Sequence, residues 1–448
     1  ALRDGDVAAL ARAPGVTEGR AAAIARGAIR RRHDDDGDFL ATDRARAVYD
    51  DVLSLLRARA VTDYAEKRLA TLYPTAARSR IDEVRSFVER ATERDPDPEV
   101  TDALAGVEPL ERAAPGRVRE RCLATADAER YTEAEEAFPE LSVEVVENAR
   151  DLAELARSYS TVVVLDERFA GSDVAGDVRV RPDALDCPDE IVPERPLAFF
   201  AANRERLHAA ADVAATAGLD VPCDLDDLRA SLARVDDDGT VVGDDELDRL
   251  VAAVDDLDAA VSTAASVADD HLRAAIRERD VTIEGTDFLS LVEQGARVDS
   301  LLSRELADEY DTAIEKARTH LVESLSLADE ADLAERVFGG DPAFPVESRD
   351  DAVSRLRTEL AAARDRRAER LKRDLAADLA AMRDPAEALV RDALELDVEL
   401  AVARFADDFD CTLPEFVGGL APDSEPESPD GAGFTIEGGR SPLLDVPF

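Results

Sequence analysis

The sequence predicts a mainly α, elongated, multidomain fold with an antiparallel helical hairpin arm and one small β element near 161–196. Three observations predict it. Aromatic residues are 4% of the 448-residue chain, Trp is absent and Met occurs once, so the cores are mostly Ala, Val and Leu, which favours helix. The stretches 244–284, 296–326 and 346–384 contain neither Gly nor Pro. Within them apolar residues recur three and four apart, as at Leu247, Leu250, Val254, Leu257 and Val261.

In chain order, residues 1–32 read as two short helices around the turn Pro14-Gly15-Val16-Thr17. The acidic run Asp34-Asp35-Asp36-Gly37-Asp38 reads as a linker closing a first segment, 1–37. Residues 39–90 read as helix, with apolar spacing at Val48, Val52, Leu55 and Leu56, a break at Pro74, and resumption at Ile81, Val84, Phe87 and Val88. Residues 92–117 carry four prolines and read as a loop with a short helix, and 118–157 reads as helix again. The period then changes: the β-branched run 161–165 and Asp177–Val180 are strand candidates. Pro196 to Ala217 returns to helix. Downstream, 296–326 would be roughly 45 Å long if helical, and 346–384 carries an apolar stripe at Leu371, Leu375, Leu379 and Met382. Between them, 327–348 contains Gly339, Gly340, Pro342 and Pro345, so it reads as a short tip where the two helices fold back on each other. Pro385 is expected to reset the register before a return helix marked by Leu394, Val398, Val402, Phe405 and Phe409. Residues 421–433 read as a polar linker and 434–437 as a strand.

Charge narrows the setting. Asp and Glu number 101 against 55 Lys and Arg, a net charge of -46, and Lys occurs only at Lys67, Lys316 and Lys372. This reads as adaptation to a salt-saturated cytoplasm, where the Debye length is about 3 Å or less and acidic side chains keep surfaces hydrated. A nucleic-acid ligand is therefore compatible with the charge, provided its contacts are short-range. Residues 1–30 have no apolar core of a signal peptide, and no run of 18 uncharged apolar residues suggests a membrane span. Cys122, Cys187, Cys223 and Cys411 lie far apart with no CxxC pair, which excludes a zinc ribbon or disulfide framework and fits a reducing compartment. The chain starts at Ala1 within a charged segment and stops at Phe448 after a strand-like run, so it reads as a piece of a longer protein.

Two segments carry chemistry. Pro14-Gly15-Val16-Thr17-Glu18-Gly19-Arg20-Ala21 resembles a helix-hairpin-helix DNA-binding element, in which a tight glycine turn aims backbone N–H groups and a helix N-terminus at a phosphate. Thr17 departs from the pattern, which prefers a second Gly. Arg20, Arg26, Arg30, Arg31 and Arg32 add a basic cluster, and Gly15, Val16, Thr17, Gly19 and Arg20 are the expected DNA contacts. The second segment, 392–417, reads Leu396-Asp397-Val398-Glu399-Leu400-Ala401-Val402-Ala403, then Phe405-Ala406, Phe409, Cys411 and Pro414-Glu415-Phe416. It resembles the MutS family where the helix leaving the clamp re-enters the core. In that family a linker then leads to a Glu-Gly-Arg-His-Pro run opening the ATPase domain. Here the run is Glu437-Gly438-Gly439-Arg440-Ser441-Pro442, with an extra Gly and with Ser441 in place of His.

The resemblance covers about 39–448 and is specific at 392–444. It implies a core with lever helices over 38–295 (with the small β element at 161–196), a helical clamp over 296–390, a return helix over 391–420, and a linker with the start of an ATPase domain over 421–448. Clamp-tip phosphate contacts are placed at Arg336 and Arg349. No mismatch-reading domain fits before the core, and Phe87-Val88-Glu89 matches that domain's wedge tripeptide only within an amphipathic helix. The implied function is a DNA-binding lever and clamp in repair or recombination control, on branched or duplex DNA, in a cytoplasmic homodimer. ATP and Mg²⁺ belong to the full-length protein. This chain is expected to catalyse nothing itself, since 433–438 lacks the Lys-Ser/Thr of a phosphate loop.

Two alternatives compete: a coiled-coil structural or chromosome-organising protein, and a metal-dependent nuclease using Asp407, Asp408 and Asp410. Asp236-Asp237-Asp238-Gly239 fails as a calcium loop because Arg234 takes the first ligand position, and His33, His208, His271 and His320 lack ligand spacing.

Overall fold

Helix is the dominant element, as the Ala- and Leu-rich composition requires. A computed structural model describes residues 7–11, 13–35, 39–278, 307–327, 330–339, 343–414, 439 and 441–443. Two compact units emerge: Ala1–Gly239 with Ala376–Phe448, and Thr240–Leu375. The units divide at 239 and 375.

The first unit opens with α1 (Val7–Ala11), α2 (Glu18–Arg32), α3 (Asp43–Arg57), α4 (Asp63–Leu69), α5 (Arg78–Thr92) and α6 (Pro98–Leu104). Thr17, Thr42, Thr62 and Asp97 cap the starts of α2, α3, α4 and α6, each side chain accepting a backbone N–H of the first turn. The helix expected over 39–90 is interrupted at 58–62 as well as at Pro74, for a reason that lies at Asp397, described below.

The continuous helix expected over 118–157 is not present. Its place is taken by β1 (Arg121–Thr125), α7 (Ala128–Ala137), β2 (Ser142–Val145) and α8 (Ala149–Ser158), followed by β3 (Thr161–Val164) and β4 (Asp177–Val180). The strands form one parallel sheet in the order β2-β1-β3-β4, with Cys122 opposite Ser142 and Val162, and Val162 opposite Val178. Side chains alternate between two buried layers. Leu123, Val163 and Leu165 pack with Phe138 and Ile191 on one face; Cys122, Ala124, Val162 and Val164 pack with Leu152 and Phe169 on the other. The β element near 161–196 is therefore half of an α/β layer that begins at Arg121.

Beyond it come α9 (Pro188–Ile191), α10 (Glu194–Ala202), α11 (Arg204–Ala217) and α12 (Leu225–Leu232). The helix expected from Pro196 to Ala217 breaks at Asn203, which is fully buried. Its amide donates to the Glu111 and Phe199 carbonyls at 3.0 and 2.8 Å, and its carbonyl accepts the Glu111 N–H at 2.7 Å. Recruiting that side chain satisfies three backbone groups, which offsets the lost helical continuity.

The second unit is built on α13 (Asp245–Glu278), α14 (Ala307–Ser324), the short α15 (Ala331–Ala334) and the start of α16 (Asp350–Asp408). Leu250, Leu257, Ala264 and Leu272 of α13 meet Tyr310, Ile314 and Leu321 of α14 and Leu356 and Leu360 of α16 in one core. Arg249 donates to Ser326 O and His271 meets Glu309, so α14 runs antiparallel to α13. Arg357 pairs with Asp258 and Arg367 with Asp244, so α16 is antiparallel to α13 as well.

The predicted tip is overturned by these contacts. Glu330 lies by Arg249, whereas the Val346 N–H donates to Asp269 at 2.8 Å. The two α13 residues are about 30 Å apart along the helix. Residues 330–339 and 343–348 therefore run back along the bundle as a strap, and α14 and α16 are parallel. A single antiparallel bridge, Phe338 with Ser348, closes this segment against the start of α16.

Pro385 does not end the helix: α16 is continuous for 59 residues through it. One lost backbone hydrogen bond is outweighed by burial on both sides, at Leu375, Leu379, Ala386 and Leu389. No helix among the described residues is long and apolar enough to cross a membrane. Asp36-Gly37-Asp38, Gly285, Gly295, 296–306, Glu415-Phe416, the linker 421–433, the strand expected at 434–437, and Glu437, Gly438 and Arg440 of the ATPase-opening run lie outside the described residues.

Candidate nucleic-acid interface

The N-terminal turn forms as its residues require. Ala13 N–H donates to Leu10 O and Val16 N–H to Ala13 O, both at 3.1 Å, closing the turn between α1 and α2. Gly15 holds φ at +74°, a left-handed conformation that a side chain resists. Thr17 sits at φ -82°, ψ 161° and accepts the Arg20 N–H on its hydroxyl at 3.4 Å. Its backbone needs no glycine, so the departure from the hairpin pattern supplies a helix cap instead. Gly15, Thr17, Gly19 and Arg20 are exposed, while Ala21, Ala25 and Ile29 bury the opposite stripe of α2. The Arg20 guanidinium folds back to donate to Gly15 O at 3.1 Å.

The rest of the basic cluster does not gather at the turn. Arg26 donates to Ala70 O and Arg32 pairs with Glu83, which docks α2 against α4 and α5. Arg30 lies over the Tyr73 ring, 4.7 Å from its centre, and Arg31 is exposed.

The hairpin forms one wall of a cleft of about 1010 Å³. Val16, Thr17 and Gly19 face Asp63 and Lys67 of α4 and the segment 107–112 across it. Asn203 fixes that segment's backbone, and Arg206 pairs with Glu108 and Glu111 at 2.8 and 2.7 Å. Lys67 pairs with Asp63 at 3.3 Å. Arg112 is exposed and has no ion pair among the described residues. It is the cleft cation the sequence did not reveal, because more than ninety residues separate it from the hairpin.

Arg336 and Arg349 belong to the other unit. The Phe338–Ser348 bridge brings their backbones together, with Arg349 N–H donating to Val337 O at 2.9 Å. Both side chains are exposed, and Arg349 pairs with Asp351 at 3.2 Å. They lie where the strap meets the start of α16, not at a hairpin tip.

The described part of the 392–417 segment, up to 414, is a packing and capping device. Leu396, Val398, Leu400 and Ala401 are buried, and Asp397 is fully buried between them. Its carboxylate accepts Val61 N–H at 3.0 Å, Thr62 N–H at 2.7 Å and the Thr62 hydroxyl at 2.8 Å, with Arg404 at 3.7 Å. This explains the break at 58–62: the chain turns there to present its amides to Asp397, and α4 starts at the next residue. Nearby, Glu395 accepts from Tyr64 at 2.5 Å and Arg68 at 3.0 Å.

The other constellations do not assemble. Asp408 accepts Arg59 at 2.7 Å, and that guanidinium stacks on Phe409 at 4.7 Å. Among the described residues no three His, Cys, Asp or Glu side chains converge to hold a metal. Asp236 and Gly239 close a turn, with Gly239 at φ +82°. At the carboxyl ends of β1 and β3, where open α/β sheets hold ligands, Asp166 accepts the Ala126 N–H at 2.8 Å and Arg130 donates to Leu165 O. Burial, with Glu144 adding to it, pushes the Cys122 thiol up to about 12.

Comparison with known protein families, curated proteins and solved structures finds no match for this chain.

Proposed function

We propose that the chain is the DNA-binding lever-and-clamp portion of a MutS-like protein, acting on duplex or branched DNA without reading mismatches. The observation that carries the reading is the exposed hairpin turn at the start of α2. Gly15 is held at positive φ, Thr17 caps the helix, and a Cβ on Gly19 would meet nothing within 4 Å. Among the described residues nothing crowds Gly19, which leaves room for close approach of a ligand backbone. A helix N-terminus binds a phosphate through backbone donors, so the contact survives both the acidic surroundings and molar salt. Arg20 and Arg112 supply the adjacent cations. On this reading the partner is a second copy, the setting is cytoplasmic, and ATP and Mg²⁺ act in an attached domain. The chain itself grips DNA and catalyses nothing.

Fluorescence anisotropy in molar KCl tests this with labelled duplex and four-way-junction DNA. Gly15→Val strains the turn and should weaken binding roughly tenfold, and Arg20→Gln should weaken it less. Absence of binding to both DNAs, or full binding by Gly15→Val, would overturn the proposal.

A further inference from the structure

A second feature of the first unit lies on the C-terminal half of α2, away from the hairpin turn. Arg26 and Arg30, one turn apart, line a small cavity of about 190 Å³ together with Phe39, Arg46, Tyr49 and Tyr73. The volume is below the roughly 300–1,000 Å³ of ordinary small-molecule sites, and suits one planar ring system rather than a whole cofactor. Three properties set the place apart. Phe39 is 57% exposed, the largest such value among the exposed large hydrophobics of its unit after Val145. Among the described residues the lining holds three arginines and one acid, Asp50, with Asp35 beside Tyr73, in a chain whose acids outnumber its bases 101 to 55. The Nε donors of Arg26 and Arg30 are buried without a hydrogen-bond partner among the described residues. Arg30 makes no ion pair there either; its guanidinium lies over Tyr73, 4.7 Å from the ring centre. Buried donors left open beside an exposed ring ask for a ligand that brings both a π-face and acceptor oxygens.

We infer that this cavity takes an unstacked nucleotide of single-stranded nucleic acid, its base against Phe39 and its phosphate on Arg30, Arg26 and Arg46. Stacking and cation–π contact act at short range and persist where molar salt removes long-range attraction. Arg46 is exposed and pairs with the exposed Asp43 at 3.0 Å, which places its guanidinium at the cavity's solvent side. From the start of α2 to Arg30 is about 18 Å, the length of about five stacked nucleotides. The inference goes beyond the hairpin reading, because it requires a single strand and no duplex contact.

The test is anisotropy in molar KCl with the whole chain and three labelled probes: oligo-dT, an abasic strand of equal length, and a duplex. Oligo-dT should bind roughly 5- to 150-fold more tightly than the abasic strand. Phe39→Ala should erase most of that difference, and Arg46→Gln should weaken both single strands. Neither substitution should change duplex binding, whereas Gly15→Val should change duplex binding alone. Equal affinity for oligo-dT and the abasic strand would overturn the inference, as would a Phe39→Ala chain that keeps the difference. Sedimentation of Phe39→Ala closes the remaining case: a shift in oligomeric state with oligo-dT affinity unchanged would make the cavity a contact between copies and overturn the nucleotide reading. Absence of wild-type binding to both duplex and four-way-junction DNA with oligo-dT binding intact would sink the hairpin proposal and leave this one standing.

Discussion

Asp397 is fully buried, and four donors surround its carboxylate: two backbone N–H groups, a hydroxyl and a guanidinium. Removing the carboxylate strands those donors, which costs more than the net worth of any one bond. Asp397→Ala should destabilise the protein by about 3 kcal/mol in denaturant unfolding, against less than about 0.5 kcal/mol for exposed Asp407→Ala. Equal effects would show that Asp397 does not hold the 58–62 turn. Cys122 gives a pH prediction. Its thiol is raised to about 12 by burial, then by Glu144, so the folded state holds the proton more tightly than the unfolded chain. Stability from this group is complete below about pH 8.5 and falls as pH rises towards the folded value. Cys122→Ala should flatten the alkaline loss of stability, measured as unfolding midpoint against pH. In native protein, Cys122 should resist alkylation while exposed Cys411 reacts.

At the scale of elements, the second unit is held by a strap instead of a tip. Val346 N–H is buried and depends on Asp269. Asp269→Ala should therefore cost about 1–3 kcal/mol by unsatisfying that donor. Leu257→Ala, fully buried between α13 and its neighbours, should cost about 2–5 kcal/mol. Pro385 makes the opposite prediction. It sits inside a continuous helix, so Pro385→Ala should raise stability by about 1–3 kcal/mol, read as a higher denaturant midpoint at unchanged slope. A fall in stability would mean that the helix needs the bend that proline imposes.

At the scale of the whole molecule, the net charge of -46 makes self-repulsion a global term. Arginine does much of the local work against it. Arg367 meets Asp244 through two bonds, at 3.0 and 2.6 Å, and Arg206 serves both Glu108 and Glu111. Exposed pairs of this kind contribute little each in salt, so screening of the net charge dominates. The thermal midpoint should rise steadily from dilute buffer to molar KCl. A flat or falling response would mean that the acids are already compensated in the fold.

The sequence by itself determined the helical class and the local setting of the hairpin turn. Each of these is a local matter: Gly15 needs its own φ, Thr17, Thr42 and Thr62 cap their own helices, and apolar spacing follows one helix at a time. Tertiary structure decided what depends on residues far apart in the chain. A short central strand such as Arg121–Thr125 is buried on both faces, so it carries no alternation to separate it from a helix. The break at 58–62 is set by Asp397, and the break at 203 by the backbone at Glu111. The course of 330–339 and 343–348 is fixed by Asp269 and Arg249, which glycine and proline content cannot reveal. For the same reason, Arg26, Arg30 and Phe39 read as a basic run and a stray aromatic until the fold sets them around one cavity.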